Sequence, residues 1–296
     1  MKKKILAALF CVVFYRMLPG MQISDGKIMD HTNTSIEARR YNRVVVLDPA
    51  VTETLYEIGG EDIIAAVANT TMSKIWPEEK VKELPSVGTL TKPSIEKILS
   101  FGPDLVIVNG MATGVRDRIR EFGIPVLVWE ANSLADILDN IRALGIISGR
   151  EEKAEKLYQE SLGKIERLRA KSAKEKKLRG ALLISVQPLM VFPKGTLPNE
   201  ILELLGVDSL GKELLGMRPI VSAEMLLTFD PDFIAGAMSI ADVDSIRNGN
   251  EAIKKTRAYR NNRIFIVDSA KILRGSPRIF EAIEAFENEL EAIRPL

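Results

Sequence analysis

A chain of 296 residues is long enough for two ordinary domains, each with its own core, which excludes a small scaffold held by disulfides or metal. Apolar residues make up 46% and charged residues 27%, a water-soluble globular composition, and a formal net charge of +1 leaves no broad basic surface for a nucleic-acid backbone. The single cysteine, Cys11, excludes an internal disulfide, and with one histidine the chain has no Cys/His cluster for structural zinc.

Lys2 to Lys4 precede the apolar run Ile5–Tyr15, which Arg16 interrupts. That run suits the middle of an export signal and is too short to span a bilayer, so residues 1–20 are expected to act as a signal segment. No A-x-A-like cleavage site follows. Phe10 stands before Cys11 where a bacterial lipoprotein signal has a small residue, so lipid attachment and anchoring through the amino terminus stay open. Residues 21–42 show no clear period and are read as a tether, with His31 solvated within it.

Ordered structure is expected from Arg43. The β-branched run RVVVLDP predicts a buried strand closed by a turn, and TETLYEIGG predicts a helix that Gly59 and Gly60 can end in a left-handed cap. DIIAAVAN, DLVIVNG (104–110) and IPVLVWE (124–130) supply three more strands, with helical stretches between the later ones. The plan then repeats: GALLISVQP (180–188) is a strand, NEILELLG a helix, and DFIAGAM and RIFIVDS are strands. Strands alternating with helices imply parallel pairing through right-handed crossovers.

A shift of 128 positions superposes SIEKILSFGPD (94–104) on SAEMLLTFDPD (222–232) without a gap, with six identities in eleven positions. The chain therefore holds two copies of one α/β unit. Between them, Ala154, Leu157, Tyr158, Leu162, Ile165 and Leu168 form one apolar stripe on a charged helix over 150–179, spanning about 40 Å at ~1.5 Å per residue. The expected fold is α/β: two similar parallel-sheet lobes joined by one long α-helix, with a ligand cleft between them. Its boundaries are 43–134 for the first lobe, 135–178 for the linking helical segment and 179–296 for the second lobe with a carboxyl-terminal helix. A continuous helical connection limits lobe closure to a small motion.

RVVVLDPAVTETLYEIGG, PSVGTLTKPSIEKILSFGPDLVIV, the long linking helix, KGTLPNEILELLG and GSPRIFEAI, in that order over about residues 43–294, resemble the substrate-binding proteins of bacterial ABC importers for iron-siderophores, haem and cobalamin. The resemblance implies a periplasmic or extracytoplasmic monomer that captures a small-molecule metal chelate, with no resident cofactor or metal, and delivers it to a permease dimer. Ser94 and Ser222 read as N-caps, which puts Glu96 and Glu224 second in equivalent helices. There each can complement the helix dipole, and in the family a glutamate at this position docks with permease arginines. Cleft loops are expected at 48–53, 69–76, 88–93, 109–116, 130–133, 187–197, 238–242 and 268–278. They offer Met72, Trp76, Arg116, Gln187, Phe192, Lys194 and Arg274 to the solute, while Trp129 is assigned to the lobe core.

Aromatic walls with Arg or Lys donors suit a ferric siderophore, which is the first expectation. Haem ranks below it, because Val87 and Gly88 are followed by Thr89 and Leu90 where haem-binding relatives tend to place a tyrosine. Cobalamin stays open, since its binding depends on a shaped apolar cavity. An enzyme in the cleft is the alternative class. The sequence carries no G-x-S-x-G, G-x-G-x-x-G or P-loop motif, while NGMATG (109–114) is glycine-bearing and could hold an oxyanion, though such a loop is more often a turn before a helix.

Overall fold

A computed structural model describes residues 20–70, 73–110 and 112–294. The expected signal segment, apart from Gly20, and the reading of Cys11 lie outside the described residues, as does Met72. Among the described residues, no helix is long and apolar enough to cross a membrane.

The segment read as a tether is folded. Strands β1 (Gln22–Ser24), β2 (Lys27–Met29) and β3 (Ser35–Glu37) form an antiparallel sheet, with Ile28 and Ile36 buried against the main core. Strands of three residues give too few alternations for a period to show, so this sheet is held by tertiary contacts. The buried carboxylate of Asp30 accepts from the backbone of Thr32 and Thr34 through one oxygen and from Val128 N, at 2.7 Å, through the other. The sheet thereby satisfies an outer donor of an edge strand of the first lobe. His31 is partly buried, with Nε2 3.2 Å from Glu130 Oε2, instead of free in solvent.

The first lobe runs β4 (Val44–Val46), α1 (Pro49–Glu57), a 3₁₀ turn (Glu61–Ile63), β5 (Ile64–Asn69), α2 (Glu78–Lys82), β6 (Ser86–Thr89), β7 (Lys92–Pro93), α3 (Ile95–Ser100), β8 (Leu105–Asn109), α4 (Thr113–Arg120) and β9 (Val126–Trp129). Its sheet order is β7-β6-β5-β4-β8-β9, parallel except for β7. β4, β8 and β9 are buried along their whole length, as expected for strands covered on both faces. Helix α1 ends as the sequence requires, with Gly59 at φ +66°.

The linking segment comprises α5 (Leu134–Ser148) and α6 (Glu151–Ser172), the latter the long helix expected over 150–179. Gly149, at φ +66°, terminates α5, and a side chain at Gly145 would collide with Ala154 Cβ, so the two helices pack at close range. Helix α6 still spans both lobes. Its 22 residues cover about 33 Å. Ala154, Ile165 and Leu168 are buried, and Leu157, Tyr158 and Leu162 pack on the core as the stripe predicts.

The second lobe runs β10 (Leu178–Val186), β11 (Leu189–Val191), α7 (Leu197–Leu204), β12 (Val207–Ser209), α8 (Ala223–Phe229), β13 (Phe233–Gly236), α9 (Val243–Gly249), α10 (Glu251–Lys254), α11 (Arg257–Arg260), β14 (Ile264–Ile266), α12 (Ser269–Ile272) and α13 (Ile279–Ile293). Its separate sheet is ordered β11-β10-β13-β14, with β12 parallel to the start of β10 and β11 antiparallel to its end. One core joins the lobes: Val46 and Leu127 of the first sheet, Ile141 and Ile165 of the connecting helices, and Leu182 and Phe233 of the second sheet belong to a single apolar cluster. The outer face of each sheet has its own smaller core.

Candidate ligand cleft

A cavity of about 840 Å³ opens between the lobes. Its wall follows from strand direction, because parallel strands that end together present their following loops on one side. From the first lobe come Asp48 after β4, Thr70 after β5, Leu90 after β6, Asn109 and Gly110 at the end of β8, and Trp129 to Asn132 at the end of β9. Met238 and Ser239 after β13, and Ser269 to Gly275 beyond β14, face them from the second lobe.

The cavity floor is a bond between lobes. Glu53 of α1, only 2% exposed, accepts from Ser276 Oγ at 2.7 Å and from Trp76 N at 3.2 Å, and its carboxylate pairs with the Arg274 guanidinium. Arg274 also donates to Lys74 O at 2.9 Å and to Ser73 Oγ. A second tie lies at the connection, where Glu200 of α7 accepts from Leu134 N at 2.9 Å across the lobes. Burial raises the Glu200 carboxyl above the usual range.

Asp48 caps α1, its carboxylate accepting from Ala50 N at 2.7 Å at the cavity wall. Withdrawal from water pushes its carboxyl up to about 6, against the lowering effect of the Ala50 and Val51 amides and of Arg274. Between about pH 4 and 6 the unfolded chain is ionised here while the folded protein keeps the proton, so this group's contribution to stability falls as pH rises. Asp48→Asn keeps a capping oxygen and removes that cost. It is expected to stabilise the protein above pH 6 by about 3 kcal/mol and to leave stability at pH 4 nearly unchanged. Urea midpoints at the two pH values measure this.

Of the residues offered by the sequence, Arg274 lines this cavity. Trp76 is not part of the wall; its ring lies under Arg278 at 5.0 Å. Arg116 is on α4, paired with Asp117 at 2.7 Å. The hairpin β10–β11 carries the 187–197 loop away from the wall: Gln187 donates to Gly249 O at 2.6 Å, Lys194 N bonds to Leu214 O at 3.1 Å, and Phe192 is packed in the main core. The antiparallel turn after β10 breaks the strand-end rule that placed the other loops. Arg218, from the irregular segment between β12 and α8, takes up that part of the wall, and among the described residues it makes no ion pair. Trp129, assigned to the core, is buried yet lines the cavity, with its indole N–H unpartnered. An unsatisfied buried donor at a strand end signals a ligand-facing position, which the all-apolar run VLVW conceals in sequence.

Glu96 and Glu224 are both exposed and second in α3 and α8, whose caps Ser94 and Ser222 accept from Lys97 N at 3.3 Å and Met225 N at 3.0 Å. The duplication is thus exact enough to give matched carboxylates, one per lobe.

A family model for periplasmic binding proteins matches residues 44–270. The chain belongs to the periplasmic binding protein family. The vitamin B12-binding protein of Vibrio parahaemolyticus serotype O3:K6 is 26% identical over 254 residues, covering 85% of this chain and 90% of that protein. An uncharacterised ABC transporter substrate-binding lipoprotein, YvrC of Bacillus subtilis, is 26% identical over 270 residues, covering 87% and 82%. The crystal structure of the periplasmic vitamin B12 binding protein BtuF of Vibrio cholerae superposes with a TM-score of 0.71 at 25% identity, covering 86% of this chain and 98% of that one. As in that family, two α/β lobes flank the cleft. The amino-terminal sheet of this periplasmic binding protein precedes the matched region.

Proposed function

We propose that this protein is the extracytoplasmic receptor of an ABC importer, that it traps a large, nearly neutral metal chelate of the corrinoid class, such as cobalamin, and that it presents the chelate to a permease dimer through Glu96 and Glu224. It makes and breaks no bond. The observation that carries the cargo is the character of the cleft wall. Thr70, Leu90, Asn109, Met238 and Leu273 are uncharged, and Arg274 is engaged by Glu53, Ser73 and Lys74. The formal charges of the wall balance, Asp48 and Glu130 against Arg218 and Arg274, which supports a nearly neutral cargo over an anionic ferric siderophore. Neither tyrosine nor histidine, the common axial ligands of haem, lines the cavity among the described residues, which disfavours haem. A corrinoid brings its own metal ligands and asks the protein for shape, apolar surface and amide partners, which an 840 Å³ cleft supplies. Vitamin B12-binding relatives support the same choice. Arg218, unpaired in the wall, favours a ferric siderophore with an anionic group as the second reading.

Intrinsic fluorescence titrations with cyanocobalamin, ferric siderophores and haemin test the cargo, since Trp129 borders the cavity. Saturable quenching by cyanocobalamin is the expected result. Saturation by a ferric siderophore alone replaces the corrinoid reading. For delivery, Glu96→Ala and Glu224→Ala are expected to reduce uptake at least tenfold while cargo affinity stays unchanged, as the loss of a charge pair at a docking surface predicts. Uptake equal to the parent protein removes the docking role.

A further inference from the structure

The duplication provides an internal control for the two docking glutamates. In the first lobe Lys97 follows Glu96; in the second, Met225 follows Glu224. The contrast continues around them. Leu226 is the buried residue of α8, while Met225 and Leu227 face solvent. Beside Glu224 lies a groove of about 570 Å³, walled by Leu210, Leu214, Met225 and Phe229. The neighbouring loop adds Leu215, Met217 and Ile220, which are 78%, 90% and 67% exposed. Such a cluster of large exposed apolar side chains marks an interaction surface. Among the described residues, α3 itself carries no exposed large hydrophobic residue.

Charge selects the occupant. The cations at the groove are engaged, Arg179 stacked over Phe229 at 4.4 Å and Lys212 paired with Asp208. Among the described residues Glu213 and Glu224 make no ion pair, and with Lys212 held by Asp208 the rim of this apolar trough carries one carboxylate in excess of Arg179. Its complement is a basic residue flanked by apolar side chains.

We infer that the two lobes dock unequally: the second lobe seats an apolar, arginine- or lysine-bearing loop of the permease in the groove beside Glu224, while the first lobe makes an electrostatic contact through Glu96. This rests on the docking reading proposed above, and adds to it which lobe carries the apolar anchor. Burial of apolar area is insensitive to salt, whereas an exposed ion pair is screened. The lobes therefore differ in a measurable way.

The test is binding of the cargo-loaded protein to its ABC permease in lipid nanodiscs at about 0.1 M and about 1 M salt, where the screening length falls from about 10 Å to about 3 Å. Met225→Lys copies the first lobe's residue at a solvent-facing position. It is expected to weaken binding about tenfold at both salt concentrations, while the loss from Glu96→Gln shrinks at the higher one. If Glu224→Gln weakens binding and Met225→Lys stays within about twofold of the parent, docking stands and the groove inference is overturned. If neither glutamate variant weakens binding, the docking reading fails and takes this inference with it. Sedimentation equilibrium checks the other occupant: a parent dimer dispersed by Met225→Lys, with permease affinity unchanged, assigns the groove to a second copy and overturns the proposal.

Discussion

Glu53→Ala is expected to lower global stability by about 3–5 kcal/mol, the cost of stranding the partner of a buried ion pair. Glu53 is 2% exposed, and its removal leaves the Arg274 guanidinium without its counter-charge and the buried Ser276 hydroxyl and the Trp76 amide without their acceptor. Because one apolar cluster runs through both lobes, the loss should appear as a shifted single urea transition and not as the separate melting of one lobe. Arg274→Met alone leaves the carboxylate with the longer pairing to Arg278, at 3.9 Å, and should cost less than Glu53→Ala. The double variant Glu53→Met with Arg274→Met strands neither charge and should recover most of the loss, giving a coupling energy of about 2 kcal/mol. Additive losses would show that the pair does not join the lobes. A floor that depends on this pair also gives Arg274 a role beyond the donor that its place in the sequence suggested. It holds helix α1, through Glu53, and the loop of Ser73 and Lys74 against the last cleft loop, so its removal weakens cargo binding through the shape of the cavity.

Most of what places this floor is legible in the sequence. β-branched runs such as Val44–Val46 and Leu105–Asn109 can only be strands covered on both faces, and a parallel sheet sends its loops to one side. The repeat of Ser94-Ile-Glu96 as Ser222-Ala-Glu224 fixes two equivalent helix starts. What the sequence hides depends on pairing between distant residues. Asp30 looks like any acid in a polar stretch, yet its bond to Val128 N, nearly a hundred positions away, helps tie β1–β3 to the lobe beside the buried Ile28 and Ile36. Gln187, Phe192 and Lys194 sit in a segment that would line the cleft if β10 were followed by a helix, but a three-residue strand turns back instead. Arg218 lies in an irregular stretch with no period at all, and its place in the wall follows from the path of that stretch between β12 and α8. Trp129 alternates correctly into a buried strand, yet the strand ends at the cavity, where burial and ligand contact coincide.

Gly275→Ala is expected to disturb the cleft as strongly as the loss of the ion pair beneath it. A Cβ at residue 275 would lie 2.2 Å from Ala131 Cβ and 3.3 Å from Ala131 O, far inside van der Waals contact. Ala131 follows β9 of the first lobe and Gly275 follows α12 of the second, so the lobes touch there through a methyl group against a bare backbone. Relief requires one of the two loops to move, and both line the cavity. Overpacking of this kind costs about 1–3 kcal/mol, and the displaced loop should reduce cargo affinity at least tenfold. The collision is specific, which makes it separable from any general effect of alanine in a loop. Ala131→Gly removes the methyl that the new one meets, so Gly275→Ala with Ala131→Gly should restore both stability and affinity beyond the sum of the single changes. A double variant no better than Gly275→Ala alone would mean that the close approach of these two loops does not set the width of the cleft.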